Sequence, residues 1–527
     1  MPFTLMQVGN TLKSVNTDGG LSSALTLPSG VILATNLQPR FARFKRYIVL
    51  VNTPSRALSI DVDGVVRPLT PNPPSTAVAL SAGAAGTLSG SYLSLQTYKI
   101  LDTAGNTIAE SDYGPAMTAY VSVASQKLHA AYAVSPDAAV SGTQLYRTTT
   151  LGAVYFPWTL VSDNTTTSVE NDISDAALGL IPGPELGTAP DLTLIAEFGG
   201  RLWGVTRDDV DSLRYTSAGT MYGWAALNTL LIPHVGSDGA GISALIPRRA
   251  ALGVSRRNTF SQVTGSQRTN IQPVIVNGGE NVGCVSQESV VVFRDIAYFL
   301  SQDGVYQWDS NGITCISDGR VRTWFTTDET FNRSMFWRAF SEFDPIAKKY
   351  RLFLASKGSA VTDRWVEYDI MNGTWWGPHE TSAFTPSSAF LVAGRNQQLY
   401  PMIGSREGYL SQDQEFKNDW GLLPIDFDVK TRDTEGDDPE QTKYHGELSV
   451  FHQVQESGDL TVTPSLGPVD ELVEQDPFTS DMTRGRRRLG RIGVGESMAL
   501  RFQNDVVNED VVLGGFVIDP VDNAGRR

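Results

Sequence analysis

Glycines flanked by short apolar runs recur at a near-constant spacing, and this limits the fold more than any other feature. Gly200 sits in EFGGRLWGV, Gly253 in RRAALGVSRRNTFSQVTG, Gly304 in LSQDGVYQWDSNG, Gly358 in FLASKGS and Gly408 in IGSREGYLS, at intervals of 53, 51, 54 and 50 residues. A repeat of ~40–50 residues has the length of four short strands, the period of a propeller blade. The runs between these glycines alternate: YIVLV (47–51), RLWGV (201–205), VVVF (290–293), AYFL (297–300), YRLFLA (350–355) and MALRF (498–502). β-Branched and aromatic residues with period two, bounded by Gly, Asp, Asn and Ser, read as strands. Almost nowhere does a helical period last three turns, so the predicted class is all-β. Read as turn glycines, these positions suggest five or six blades, with the N-terminal strand available to close the ring. Gly64 in DVDGVVRPL reads as a further blade hairpin, yet Gly200 follows 136 residues later.

That gap holds more than a blade. Residues 71–90, PNPPSTAVALSAGAAGTLSG, read as a Pro-, Ala- and Gly-rich linker. Behind it come YLSLQTYKIL, a turn at 104–106, TAYVSV (118–123), QLYRTT (144–149), YFPWTLV (155–161) and TTTSVEND (165–172). About seven short strands in about 100 residues is the pattern of an immunoglobulin- or fibronectin-like sandwich. The expected organisation is a first propeller part at 1–74 and an inserted sandwich at 75–186 on flexible seams. The rest of the propeller follows at 187–424, and a C-terminal β-module at 425–527. Docking to a partner is the expected use of the insert.

With 527 residues the chain exceeds one ordinary core. Its 41% hydrophobic and 19% charged residues describe a globular protein. A net charge of −15 argues against a surface that attracts nucleic acid throughout, and suits a wall past which DNA slides. Two cysteines, Cys284 and Cys315, exclude a disulfide scaffold and a Cys-rich zinc site, and read as reduced thiols in a strand core. The start MPFTLMQVGN lacks the charge pattern of a signal peptide, and the apolar runs are strand-length, so no membrane span is expected.

LSQDGVYQWDSNG (300–312) nearly matches the Asp-box of sialidase-type β-propellers, Ser-x-Asp-x-Gly-x-x-Trp, through Ser301, Asp303, Gly304 and Trp308. Such a box stabilises a hairpin, so it speaks of fold, and Asp303-Gly304 is by itself a hairpin signal. Glycan cleavage needs two carboxylates about 5–10 Å apart. Asp61/Asp63 and Asp208/Asp209/Asp211 supply nameable pairs, but 57 acidic residues make any pair unremarkable. Five histidines (His129, His234, His379, His445, His452) show no metal spacing, and His445 and His452 read as half-exposed strand residues. GSDGAG (236–241) reads as a turn and DTEGDDPEQ (433–441) as a solvated loop, so no cofactor or metal is expected and no enzyme activity. TRGRRRLGRIG (483–493) places Arg484, Arg486, Arg487, Arg488 and Arg491 within eight positions. Intersubunit ion pairs, DNA phosphates or plain solvent are its possible partners. Among ten tryptophans most sit in strand patterns and read as core. The adjacent Trp375 and Trp376 point to opposite faces, so one of them is a candidate interface anchor.

GISALIPRRAALGVSRRNTFSQVTG (241–265) followed by NVGCVSQESVVVFRDIAYFLSQDGVYQWDSNGITCISDGRV (281–321) resembles the tail nozzle, or tail tubular protein B and packaged-DNA stabilisation, proteins of short-tailed bacteriophages. DSLRYTSAGTMYGWAALN (211–228) is similar to the segment preceding these in that family, and RRLGRIGVGESMALRFQN with LGGFVID resembles its closing β-module. The resemblance spans roughly 190–420 well and the flanks loosely. It implies a structural virion protein that assembles as a homo-oligomer, a hexamer in that family, below the portal and adaptor proteins. Its ring would end the double-stranded DNA channel, retain the packaged genome and dock tail fibres or spikes. Its location would be the virion tail, with assembly in the host cytoplasm. The alternative from the same residues is a glycan-binding or glycan-cleaving propeller.

Overall fold

The computed structural model describes residues 4–15, 20–232, 240–265, 271–319, 321–380, 384–393, 398–408, 410–412, 418–419, 423–424, 427–431, 442–455, 458–468, 471–504, 506, 511 and 513–523. His234, most of GSDGAG and the whole loop 433–441 lie outside them. The all-β expectation holds: among the described residues the one α-helix is Arg322–Thr326, beside three short 3-10 turns. The chain divides into two compact units, Met1–Glu380 with Pro386–Leu410, and Thr381–Thr385 with Ser411–Arg527.

The first unit holds five four-stranded antiparallel sheets in simple up-and-down order. The first contains Arg40–Phe44, Tyr47–Val51, Leu58–Ile60 and Val66–Pro68, and the second Leu192–Phe198, Arg201–Thr206, Ser212–Tyr215 and Thr229–Leu231. The third contains Ala244–Pro247, Leu252–Ser255, Thr259–Thr264 and Gln272–Glu280. Val291–Phe293, Ile296–Leu300, Val305–Trp308 and Ile313–Cys315 form the fourth. The fifth contains Phe340–Asp344, Lys349–Ala355, Thr362–Asp369 and Thr374–Glu380. A sixth sheet opens with the hairpin Pro386–Ala393 and Leu399–Ser405.

Successive sheets are glued face to face, because each strand's period of two turns one apolar row to either neighbour. Leu194, Trp203 and Val205 pack with Leu245, Leu252 and Val254; Ala244 and Phe260 with Phe299 and Trp308; and Tyr298 and Leu300 with Tyr350 and Leu352. First strands are neighbours: Leu192–Phe198 lies against both Arg40–Phe44 and Ala244–Pro247, and Phe340–Asp344 against both Val291–Phe293 and Pro386–Ala393. The N-terminal hairpin, Thr4–Val8 with Thr11–Val15, joins the two ends of this series. Its Val15 and Met6 pack with Val392 and Met402 of the sixth sheet, and its Leu12 with Leu50, Leu58 and Ile60 of the first.

The repeat is real, but its glycines are not equivalent. Gly200 turns between first and second strands at φ +70°, whereas Gly358 and Gly408 turn between second and third at +76° and +91°. Gly253 is no turn residue; it lies inside Leu252–Ser255, where a Cβ would stand 2.7 Å from Trp308 Cζ3 and 2.8 Å from Phe260 Cζ. Gly304 does not have a positive φ; a side chain there would collide with Ser317 Oγ. The first strands of the second to sixth sheets start at Leu192, Ala244, Val291, Phe340 and Pro386, so the period belongs to whole sheets and not to one turn.

Residues between the first and second sheets form two sheets around one core. Ala79–Tyr92, Val121–Ala131 and Ser168–Asn171 make one; Ser94–Leu101, Thr107–Glu110, Gly142–Thr148 and Tyr155–Val161 make the other. The supposed linker is therefore mostly a 14-residue strand. Its small residues are needed: a Cβ on Gly86 would come 2.8 Å from both Asp172 Oδ1 and Lys127 N. Nor are the seams loose. Ile100, Ile108 and Ala109 share a core with Phe44, Val49, Leu192 and Trp224, and Arg56 pairs with Asp137 at 3.0 Å.

The second unit packs Phe427–Lys430, Ser497–Asn504, Asp459–Gly467, Val473–Glu474 and Phe478–Asp481 against Arg486–Gly495, Lys443–His452 and Leu513–Asn523. His445 and His452 are buried in it, not half-exposed, and His452 Nε2 lies 3.2 Å from Ser480 Oγ. Both lie on Lys443–His452, the strand that also buries Leu448 and Val450.

Candidate functional site

In an up-and-down sheet of four strands, the chain entering the first strand and the turn between second and third strands lie at the same end. At that end of the third, fourth and fifth sheets the connections border a half-open cavity of about 500 Å³. Its described lining includes Ser243, Arg257, Gln302, Arg333, Ser334 and Trp337.

Each wall is held by bonds within the protein. Arg256, 2% exposed, pairs with Asp211 Oδ1 at 2.5 Å and donates to the Ala240 and Ile232 carbonyls at 2.9 Å each, fixing the entry to the third sheet. Its neighbour Arg257 is exposed and donates no side-chain hydrogen bond among the described residues. Gln302 ties the fourth sheet's turn to the third through Asn258 Oδ1, and its carbonyl accepts from Arg333 Nη2 at 3.2 Å. Arg333 opens the 3-10 turn Arg333–Arg338, on which Trp337 is 57% exposed. The guanidinium of Arg338 covers one side of that indole at 4.7 Å and is itself anchored to the Ala360 carbonyl at 2.8 Å.

No described lining residue is Asp, Glu or His. Cys284 also borders the cavity, but its side chain is wholly buried, and burial pushes the thiol up to about 12. The arrangement can hold an anion beside an aromatic face, and its described lining presents no acid–base pair.

The strongest electrostatic feature lies elsewhere, on the face of the fifth sheet turned away from the fourth. Arg351 Nε contacts Glu367 Oε1 at 2.9 Å, its Nη1 contacts Glu342 Oε1 at 3.1 Å and its Nη2 contacts Asp344 Oδ2 at 3.3 Å. Lys349 Nζ adds a second cation 2.6 Å from Glu367. Burial raises Glu342 to about 7 against the pull of Arg351. Burial also opposes ionisation of Glu367, but Arg351 and Lys349 outweigh it and hold that carboxyl at about 2. The aromatic row Phe340, Phe353, Trp365 and His379 continues the same face, with centroids 4.7, 6.0 and 5.5 Å apart.

The residues singled out from sequence do not converge here. In the near Asp-box, Asp303 accepts from Tyr306 Oη at 3.0 Å and pairs with Arg322 at 3.3 Å, while Trp308 packs on Phe260 at 5.0 Å and under Arg248 at 4.4 Å. Asp61 accepts from Arg67 and from the Asp63 and Val65 amides, and Asp211 serves Arg256, so these carboxylates are used in turns and pairs. Trp375 packs inward on Tyr368 at 5.0 Å and donates to the Ile316 carbonyl at 2.9 Å, whereas Trp376 is 56% exposed. The basic stretch lies largely in the strand Arg486–Gly495. Arg486 stacks on Phe451 at 5.0 Å, Arg487 pairs with Asp481 at 3.4 Å and Arg488 with Glu447 at 3.3 Å. Arg484 and Arg491 are exposed. The cavity residues were missed because SRRN, SQDG and FNRSMFWR are each unremarkable alone; the one signal was a polar or basic side chain beside a turn in all three sheets.

No family model matches the chain, and no curated protein matches it. Among solved structures, Hsv2 of Kluyvelomyces marxianus is 7% identical with a TM-score of 0.24, covering 54% of this chain and 71% of that one. PorZ, a surface component of the type-IX secretion system of Porphyromonas gingivalis, is 9% identical at 0.27, covering 78% of this chain and 53% of PorZ. An exo-β-1,3-galactanase of Phanerochaete chrysosporium is 11% identical at 0.20, covering 84% of this chain and 100% of the enzyme. Similarity this low assigns neither a family nor an activity.

Proposed function

We propose that the chain is a structural virion protein, a tail nozzle subunit of a short-tailed bacteriophage. In this reading the six sheets are blades of one propeller closed by the N-terminal hairpin, and the seven-stranded insert is an immunoglobulin-like sandwich. Several copies, six by the resemblance, form the end of a channel for double-stranded DNA below portal and adaptor proteins, with tail fibres docked outside.

The observation that supports this best is that the resembling stretches fall on successive elements. Residues 211–228 cover the third strand of the second sheet and the connection after it, 241–265 three strands of the third sheet and 281–321 the fourth. A resemblance carried by a whole series of sheets concerns architecture, as a scaffold protein requires, and not a transplanted catalytic motif. The cavity, without a carboxylate in its described lining, favours a non-enzymatic role over glycan cleavage. The test is the composition of purified tails. The chain is expected there as a stoichiometric component, and its removal is expected to leave filled heads that lose their DNA. Tails that are complete without it overturn the proposal.

A further inference from the structure

We propose that the cavity between the third, fourth and fifth sheets binds the carboxylated sugar unit of an acidic glycan. This goes beyond the nozzle reading and does not depend on it, because it is argued from the described lining of three sheets of this chain. The volume of about 500 Å³ lies within the range of small-ligand sites. Two guanidiniums, Arg257 and Arg333, stand on its rim with no acidic residue in the described lining to offset them. The planar fork of arginine matches a carboxylate in a bidentate fashion, which the point charge of lysine does not.

The remaining surface is suited to a ring and not to a bare anion. Trp337 offers the side of its indole not covered by Arg338, and with Val285 it gives an apolar wall onto which the C–H face of a pyranose can lie. Ser334 donates to Asn332 Oδ1 at 2.7 Å, and Ser243 donates to the Cys284 carbonyl at 2.5 Å, so each hydroxyl has its proton committed and an oxygen left to accept from a sugar hydroxyl. The same fork also fits a phosphate, so it is the apolar wall and the hydroxyl acceptors that favour a sugar ring over a free anion. The described lining pairs no acid with a base, so binding and not cleavage is proposed.

Calorimetric titration of the full chain with methyl β-D-glucuronide and its neutral counterpart methyl β-D-glucoside tests this. Saturable binding of the glucuronide is expected, at least about tenfold tighter than the glucoside, as loss of a charge-assisted hydrogen bond implies. Arg257→Gln and Arg333→Gln are each expected to weaken glucuronide about tenfold; Arg257→Gln leaves the thermal transition in place, and Arg333→Gln lowers it only slightly through loss of the bond to the Gln302 carbonyl. Trp337→Ala should weaken both sugars, while Met371→Ala, which shortens an exposed side chain at the opposite end of the fifth sheet, leaves binding unchanged. Equal affinity for the two sugars, no saturation by either, unaltered binding by the arginine variants, or displacement by an equal concentration of inorganic phosphate would each overturn the proposal. If Trp337→Ala does not fold, the two arginine variants decide.

Discussion

Replacing Arg351 by Met removes the cation on which three buried carboxylates depend. Its side chain is 12% exposed, and those of Glu342, Asp344 and Glu367 are 1%, 8% and 9% exposed. Breaking a buried network by deleting one partner costs about 3–5 kcal/mol, because the orphaned charges stay behind. Two features of this site pull toward the lower figure. Lys349 still reaches Glu367 at 2.6 Å, and Glu342, already raised to about 7, relieves part of the strain by keeping its proton. A loss of about 3 kcal/mol is therefore expected. Arg207→Met is the matched control, since Arg207 and Asp191 are 42% and 50% exposed and such surface pairs contribute about 0–1 kcal/mol. Guanidinium unfolding followed by tryptophan emission separates them: nine of the ten tryptophans precede residue 381, so emission reports mainly the first unit. A cost below about 1 kcal/mol for Arg351→Met, the ceiling for an exposed pair, would refute the dependence of these carboxylates on that cation.

Other consequences follow from the same geometry. Glu342 has a folded-state pKa raised above its unfolded value, so its contribution is full at low pH and is lost as pH rises through about 7. Glu342→Gln, which cannot ionise, is expected to gain on the parent between pH 5 and 8, by up to roughly 3 kcal/mol, since each pH unit separating the folded and unfolded pKa values is worth about 1.4 kcal/mol. A pH-independent difference in unfolding free energy would contradict this. Gly253→Ala drives a methyl group into Trp308 and Phe260 and should cost about 1–3 kcal/mol in denaturant titration, whereas an unchanged midpoint would show that the close approach is not limiting. Trp376→Ala should leave monomer stability within about 0.5 kcal/mol while weakening assembly, as read by sedimentation velocity; unaltered assembly removes Trp376 as an anchor.

Strands with alternating β-branched and aromatic residues were legible. YFPWTLV is the strand Tyr155–Val161 residue for residue, and YIVLV is Tyr47–Val51. Local composition misled where tertiary packing demanded small residues. ALSAGAAGTLSG reads as linker, yet Gly86 must be bare because Asp172 and Lys127 press on it. Alternation also hides the buried ion cluster: Glu342, Arg351 and Glu367 fall at positions that look solvent-facing until a sixth sheet covers them. The cavity was illegible for a different reason. Arg257, Gln302 and Arg333 come from separate connections, and only the ordering of sheets brings them together.

The assembly state tests the nozzle proposal most directly. Native mass spectrometry of the purified 57.2 kDa chain, with rotational averaging of the same particles by electron microscopy, should give a closed ring of one defined stoichiometry, six copies by the resemblance. A chain that remains monomeric at every concentration and in the presence of purified tails would contradict it.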